Sequence, residues 1–181
     1  MQNNLNSTPE QAYEAVKLIN KYGAEIGGNG MPKFLPGVNI LYGLIGESKQ
    51  TNDENIKWLK RILDEGLMLR RINIRQVNIF EGTPLHNTVG NKFIRKNKKF
   101  YWSWRKRIRE EVDFPMLKKV APEGAVMKDV RMEIYDGKTT FGRQIGTYPL
   151  IVGVKGRLEL GKFYGIKVKR HMLRSIVGEV A

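Results

Sequence analysis

The apolar positions near the start of the chain repeat at a helical spacing and then give way to an extended run. Thr8, Pro9 and Gln11 match the start of a helix, because threonine caps the first turn, proline fits its first position and glutamine completes a capping box. Apolar residues continue at helical spacing until Gly23, which ends the predicted helix. Residues 38–45 then form an almost unbroken apolar run, typical of a parallel strand covered on both faces.

A second helix and a second strand follow in the same order. Residues 51–54 form another capping box, and a helical apolar stripe continues from there to Gly66. Residues 69–80 are rich in isoleucine and valine and predict the next strand. This order is that of a parallel α/β unit. Two such strands leave unpaired edges and uncovered faces, so we expect this part either to pair with another chain or to be the end of a larger (β/α) barrel.

The second half of the chain changes from helical to extended spacing. Residues 91–112 mix basic and aromatic residues, and their later part predicts a helix. Beyond Pro115 the pattern is that of short strands separated by turns, and these strands span residues 127–135, 139–145, 148–154, 158–160 and 163–169. Five short strands within about 60 residues indicate a small closed or nearly closed β-barrel.

Charge divides the chain at similar places. Residues 1–64 carry seven basic and seven acidic residues, residues 91–110 carry nine and one, and residues 111–181 carry 13 and eight. The whole chain has a formal net charge of +14, which favours a polyanionic partner, with nucleic acid as the leading candidate. A generally basic protein without such a partner is the alternative.

Composition excludes several kinds of site. The chain has no cysteine and two histidines, so it can form no disulfide, thiolate metal site or cysteine nucleophile, and we expect no histidine-rich metal site. We find neither a signal sequence nor an apolar run near the roughly 18 residues that span a bilayer. The sequence therefore predicts a cytoplasmic protein without a membrane partner.

The turn after the first predicted strand is the strongest candidate for chemistry. Gly43, Gly46 and Glu47 follow that strand, and glycines there let a ligand approach the backbone at the carboxyl end of a parallel strand. The pattern alone leaves a plainer alternative, in which the glycines make a tight turn into the next helix and Glu47 is a solvated loop residue.

The stretch from Gly43 to Ser48 resembles the Gly-x-x-Gly-Glu-[Ser/Thr] element on the fifth barrel strand of radical S-adenosylmethionine enzymes. Neighbouring phrases strengthen the resemblance, and they lie at residues 29–32, 35–39, 69–77 and 82–84. In this order and spacing they resemble an archaeal radical S-adenosylmethionine family related to the tRNA methylthiotransferases. The resemblance covers most of the chain.

The resemblance implies a cofactor site shared by the turn and the next strand. The two glycines and the glutamate of the turn would line the adenosine end of the cofactor, while Asn73, Arg75 and Gln76 would contact cofactor or substrate. Side chains alternate along a strand, which places Asn73 and Arg75 on one face and Gln76 on the other. Polar side chains are costly to bury unpaired, which favours a functional role, with a structural, ion-paired arginine as the alternative.

The cluster motif of that family is absent from this chain. Radical S-adenosylmethionine enzymes hold a [4Fe–4S] cluster on three cysteines of a Cys-x-x-x-Cys-x-x-Cys loop, and this chain has no cysteine. The resemblance therefore implies S-adenosylmethionine and the cluster for the full-length protein, with no cluster, metal site or catalysis in this chain alone. We expect a fragment, a late start or half of a split gene, partnered by the missing N-terminal part of the barrel or by a complementary chain.

The end of the chain resembles the TRAM domain, a barrel that presents RNA in the tRNA methylthiotransferases. The resemblance depends on the strand-rich run and on residues 167–179. It agrees with a physical prediction that basic side chains of the barrel contact RNA phosphates, with tRNA as a candidate. These side chains are Arg143, Lys155, Arg157, Lys167, Lys169, Arg170, His171 and Arg174. For His171, a surface position without function is the alternative.

Aromatic residues near these cations have two possible roles. They either stack on unpaired bases or fill hydrophobic cores, and they are Phe141, Tyr148, Phe163 and Tyr164 in the barrel and Trp102 and Trp104 before it.

The predicted fold is α/β followed by all-β. Residues 1–90 are expected to be the late strands and helices of a partial (β/α) barrel, residues 91–115 a basic helical connector, and residues 116–181 a small TRAM-like or OB-like β-barrel. The leading functional prediction is the C-terminal portion of a radical S-adenosylmethionine enzyme that modifies RNA nucleosides, for example by methylthiolation. A stand-alone basic RNA-binding module is the alternative. A third option is a substrate other than nucleic acid.

Overall fold

The computed structural model describes residues 7–90, 92–146 and 149–181, with side chains except those of residues 92–97. The helices are α1 (Pro9–Gly23), α2 (Lys49–Asp64), α3 (Pro84–Val89), α4 (Lys92–Ile108) and α5 (Phe114–Val120), with a π-helical turn (Arg109–Asp113) between α4 and α5. The strands are β1 (Gly37–Tyr42), β2 (Arg71–Gln76), β3 (Val126–Asp136), β4 (Thr139–Gln144), β5 (Ile151–Lys155), β6 (Phe163–His171) and β7 (Ser175–Val180).

Side-chain caps start the first two long helices. The Gln11 N–H donates to Thr8 Oγ1 at 3.2 Å and the Thr8 N–H donates to Gln11 Oε1 at 2.8 Å, which confirms the predicted capping box of α1. The start of α2 lies before the predicted box, because Ser48 occupies the N-cap and its N–H donates to Thr51 Oγ1 at 3.0 Å. The box is therefore Ser48 with Thr51, in which a hydroxyl replaces the usual carboxylate.

β1 and β2 form a parallel, two-stranded sheet with one buried face. Ile40 pairs with Ile74, and both side chains join a hydrophobic cluster that includes residues of α1, α2 and α4. Tyr42 lies on the same face, with its ring centroid 5.1 Å from that of Trp104. The other face carries Asn39 opposite Asn73, and the two side chains are hydrogen-bonded at 3.0 Å. One face is therefore packed and the other is polar.

The second half of the chain forms a closed barrel of five strands, as predicted. The strand order is β3-β4-β5-β7-β6, and neighbours are antiparallel except for β5 and β7, which are parallel. Alternate side chains point inward and fill the barrel, as in other small closed barrels. The buried residues of this interior are Met127, Val130, Met132, Val152, Val154, Ile166, Val168 and Ile176.

The prediction of a partial (β/α) barrel followed by a separate β-barrel is wrong. The sheet of the first half has two strands within the described residues, and the segment predicted to be a connector supplies core residues, including Trp104, Ile108 and Val112. The glycine-rich loop after α1, residues 27–30, docks on the barrel, where the Lys128 N–H donates to the Asn29 carbonyl at 2.9 Å. Helices therefore cover part of the sheet faces that the sequence predicts to be open. The helix formed by the predicted connector is one of them, although its charge pattern resembles that of a linker.

Two strand predictions in the barrel differ from the structure. Residues 158–160 are not a strand, since the Leu158 N–H donates to Thr140 Oγ1 at 3.0 Å and the segment turns away. β7 was not predicted, because Gly178 weakens its strand pattern. A Cβ on Gly178 would lie 2.4 Å from Ile166 Cγ2, so the glycine lets β6 and β7 approach.

No helix in the described ranges is both long and apolar enough to cross a membrane.

Candidate nucleic-acid interface

The predicted cofactor turn is held by its own glutamate. β1 ends at Tyr42, and Gly43 and Gly46 have φ angles of +90° and +83°, which glycine adopts readily. The Gly43 N–H donates to Glu47 Oε2 at 2.6 Å, and Glu47 is 8% exposed. Glu47 is therefore not a solvated loop residue. It closes the turn that leads into α2.

The other candidate cofactor residues lie on two faces of the parallel sheet. Asn73 and Arg75 point to the polar face. There the side-chain amide of Asn73 donates to Asn39 Oδ1, and Arg75 is exposed opposite Leu41. Gln76 is opposite Tyr42, on the packed face. Together with the closed turn at Glu47, this arrangement does not gather the six residues into one S-adenosylmethionine pocket.

A [4Fe–4S] cluster does not fit the residues of this chain. The chain has no cysteine to donate a thiolate. Within the ranges that the structure describes, no group of three or more histidine, cysteine, aspartate or glutamate residues is placed to hold a metal ion.

Two of the predicted RNA-binding cations lie at one end of the barrel, near the β3–β4 turn. Lys155 is opposite Thr139, and the guanidinium carbon of Arg157 lies 4.4 Å from the centroid of the Tyr135 ring. Tyr135 donates to the Leu158 carbonyl at 2.9 Å, which fixes the ring as a platform. This end therefore combines cations with a partly exposed aromatic face.

Four further candidates lie on β6, and three of them are exposed. Lys167 and Lys169 are exposed, and both are close to Glu179, since Lys167 pairs with it in register and Lys169 Nζ lies 3.1 Å from its carboxylate. Arg170 is exposed, with its guanidinium 4.0 Å from Met172 Sδ. Glu179 reduces the positive charge that the two lysines present, whereas Arg170 keeps its full charge.

His171 does not lie on an RNA-accessible surface. Its side chain is 1% exposed, and Nε2 lies 2.6 Å from the Ala121 carbonyl oxygen at the end of α5. The residue therefore joins α5 to the barrel. It is neither the predicted phosphate contact nor a surface position without a role.

The remaining two candidates, Arg143 and Arg174, belong to a cleft of about 650 Å³ between the barrel and the helical part. Three arginines from other elements also line it, two at the start of β2 and one in the π-helical turn. We define the arginine cleft by its charged lining residues, which are Arg70, Arg71, Arg109, Asp113, Arg143 and Arg174.

The sequence interpretation missed three of these arginines, since Arg70 and Arg71 lie at the start of a predicted strand and Arg109 lies in a helical region. The sequence contains one indication that Arg70 and Arg71 have a role. They are consecutive charged residues at the edge of an otherwise apolar stretch, where burial without a partner is costly. Nothing in the sequence places Arg109 beside them.

The aromatic candidates divide between core and surface. Trp104 is buried, whereas Trp102 is 63% exposed with the Arg105 guanidinium carbon 5.2 Å from its ring centroid. Phe141 packs over Gly153, where a Cβ would lie 2.9 Å from the ring. Phe163 is exposed, Tyr164 is partly buried against the core, and Tyr148 lies outside the described residues.

Two archaeal proteins are similar to this chain over nearly its whole length. An uncharacterized protein of Archaeoglobus fulgidus is 41% identical over 174 residues, which are 96% of this chain and 32% of that protein. An uncharacterized protein of Methanocaldococcus jannaschii is 43% identical over 180 residues, which are 98% of this chain and 33% of that protein. No protein-family model matches the chain. The chain thus spans about a third of the length of these curated relatives.

Proposed function

We propose that this chain is an RNA-binding module of a cytoplasmic protein. The observation that carries the proposal is the presence of exposed aromatic rings paired with arginines in the basic part of the chain. Trp102 with Arg105 lies on α4, and Tyr135 with Arg157 lies at one end of the barrel. An aromatic face stacks on any base, and an adjacent guanidinium neutralises a phosphate, so such pairs suit single-stranded or looped RNA.

The distribution of charge supports the same function. Lys98, Lys99 and Lys106 are exposed on the helix that carries Trp102, and this helix lies in the most basic stretch of the chain. Some cations are neutralised, as for Arg107, which bonds to Asp53 and Glu111. An excess of cations around exposed rings remains, and it favours a polyanion over a neutral partner.

A radical S-adenosylmethionine reaction on RNA, such as methylthiolation, remains a proposal for a longer protein that contains this segment. It is supported by the sequence resemblance around Gly43 to Ser48. Because this chain has no cysteine, the cluster and the chemistry would come from residues outside it. Under this proposal the present chain binds the RNA substrate.

RNA binding is tested by titrating a fluorescent tRNA transcript with the full chain over a range of salt concentrations. The logarithm of the association constant should fall linearly with the logarithm of salt, with a slope of about −0.7 to −0.9 for each phosphate contacted. Trp102→Ala should weaken binding roughly tenfold, because stacking on one base contributes about 1–3 kcal/mol.

The matched control is Tyr22→Ala. Tyr22 is 68% exposed and has Lys21 Nζ 5.3 Å from its ring centroid, but it lies in the part of the chain without net charge. This variant should bind like the wild type. Absence of binding at low salt, or binding that salt does not weaken, would show that the chain is not an RNA-binding module.

A further inference from the structure

The arginine cleft concentrates positive charge beyond what its own carboxylates neutralise. Asp113 is the single carboxylate in its lining, and it bonds to Arg109. Arg143 is paired from outside the cleft by Glu133 on the neighbouring strand, at 2.8 Å. In the described part of the chain, no carboxylate lies within ion-pair distance of Arg70 or Arg174. The cleft therefore carries a net positive charge between two packed parts of the protein.

The surroundings of two arginines in the cleft disfavour their charged forms. Burial lowers the pKa of Arg70, and burial together with the adjacent charge of Arg109 lowers the pKa of Arg174. Like charges in a partly enclosed space repel one another more strongly than on an open surface. An anion bound among these arginines would offset that repulsion.

One of the arginines is held rigidly by the fold. Arg109 is 6% exposed, and its Nη1 donates to the Ile72 carbonyl at 2.9 Å as well as to Asp113. Its Nε is buried without a hydrogen-bond partner among the described residues. Arg109 thus keeps an unused donor in a fixed position, while Arg143 and Arg174 are exposed enough to move onto a ligand.

We infer that the arginine cleft is a binding site for closely spaced phosphate groups. Guanidinium groups present planar pairs of N–H donors that match phosphate oxygens in a bidentate manner. One carboxylate ligand would neutralise a single arginine, whereas neighbouring phosphates bring several negative charges to a cleft in which Asp113 and Glu133 pair with two of the five arginines. Apolar side chains in the wall, including Phe141 and Leu150, leave room for a sugar or base beside the phosphates.

Two sources supply this ligand chemistry, the backbone of RNA and a small compound with linked phosphates. If the ligand is RNA, the inference rests on the proposed function, and it adds the site at which the RNA backbone is bound. The cleft lies at the end of the barrel away from Tyr135 and Arg157, so RNA that reached both would cross the barrel.

The experiment measures two properties of the full chain in parallel. The first is the shift in thermal unfolding temperature caused by inorganic pyrophosphate, compared with potassium chloride at the same ionic strength. The second is the affinity for a fluorescent single-stranded RNA. The variants are Arg143→Ala/Arg174→Ala, Arg143→Lys/Arg174→Lys and the charge-matched control Lys17→Ala/Lys57→Ala on exposed positions of α1 and α2. Arg109 is left unchanged because the fold depends on it.

Pyrophosphate should raise the unfolding temperature of the wild type and the control, and the alanine pair should lose this shift. The alanine pair should also bind RNA roughly tenfold or more weakly, with a salt slope smaller by about two. The lysine pair should recover part of both effects, because charge is kept while bidentate geometry is lost.

Different results separate this inference from the proposed function. If RNA binds the wild type and the alanine pair equally, RNA is excluded as the ligand of the cleft and the proposed function stands. A pyrophosphate shift that is absent from the wild type, or is kept in the alanine pair, overturns the phosphate site itself. If pyrophosphate acts through the two arginines but RNA does not bind, the proposed function fails. The cleft is then upheld as a site for a small phosphate compound.

Discussion

The side-chain amide of Gln144 donates to the Asn29 carbonyl at 2.8 Å, across a sequence separation of 115 residues. The same amide nitrogen donates to the Lys128 carbonyl at 2.7 Å, and Gln144 is 8% exposed. One buried side chain therefore ties β4, β3 and the glycine-rich loop together. Because these bonds are shielded from water, the α/β part and the barrel are expected to unfold together.

Gly30 makes the closest approach in that junction, and its replacement should weaken the fold. Its φ angle is +78°, and a Cβ at this position would lie 2.0 Å from the Val126 carbonyl oxygen. Gly30→Ala therefore combines backbone strain with a clash against backbone that has little freedom to shift. We expect the free energy of unfolding to fall by roughly 2–4 kcal/mol, measured by urea denaturation.

Gly28→Ala is the control for this substitution. Gly28 belongs to the same loop, but nothing lies within 4 Å of the Cβ that it would gain, and its φ angle is outside the left-handed region. Its stability should stay within about 1 kcal/mol of the wild type. Equal stabilities for the two variants would show that the loop does not pack against β3.

The local elements were largely readable from the sequence, whereas their assembly was not. The capping box of α1 and four of the five barrel strands follow from short-range patterns, which depend on neighbours a few residues apart. The helical cover of β1 and β2 depends on Trp104 and Ile108, which stand among basic residues that resemble a solvated linker. Long charged side chains can extend away from a packed helix, so a high local charge did not exclude a core role.

The same limit applies to the candidate site. Arg143 and Arg174 were selected for their charge, but the sequence does not show that they meet three other arginines. His171 was selected by its basic neighbours, while its side chain turns inward to the Ala121 carbonyl. Contacts between residues far apart in the chain decide both outcomes, and a single sequence contains no pattern that encodes them.

The buried phenol of Tyr42 should make stability fall at alkaline pH. Burial raises the pKa of Tyr42 above its ordinary value of 10.0. Below that pH the phenol is neutral in both the folded and unfolded states, so it contributes no pH dependence. Above it the unfolded chain loses the proton first, and the free energy of unfolding should drop by about 1.4 kcal/mol per pH unit from this group.

Tyr42→Phe should remove that alkaline drop while lowering stability at neutral pH. The hydroxyl donates to Asn52 Oδ1 at 2.5 Å, and Asn52 is fully buried. Loss of this hydrogen bond should therefore lower the free energy of unfolding by about 1–3 kcal/mol. Urea denaturation on both sides of pH 10.0 should show the gap to the wild type narrowing as the pH rises. Tyr22→Phe removes a surface phenol as the control. A gap that stays constant with pH would contradict the prediction.

Substitutions of Glu47 distinguish a structural role of this residue from a role in cofactor binding. Its carboxylate accepts the Gly43 N–H inside the turn, so Glu47→Ala leaves a buried donor without this partner and should lower stability by about 1–3 kcal/mol. Glu47→Gln keeps an acceptor oxygen and should lose less. Glu54→Ala, which removes an exposed carboxylate paired with Lys57, should change stability little. If Glu47→Ala were as stable as Glu54→Ala, the turn would not depend on the Glu47 carboxylate.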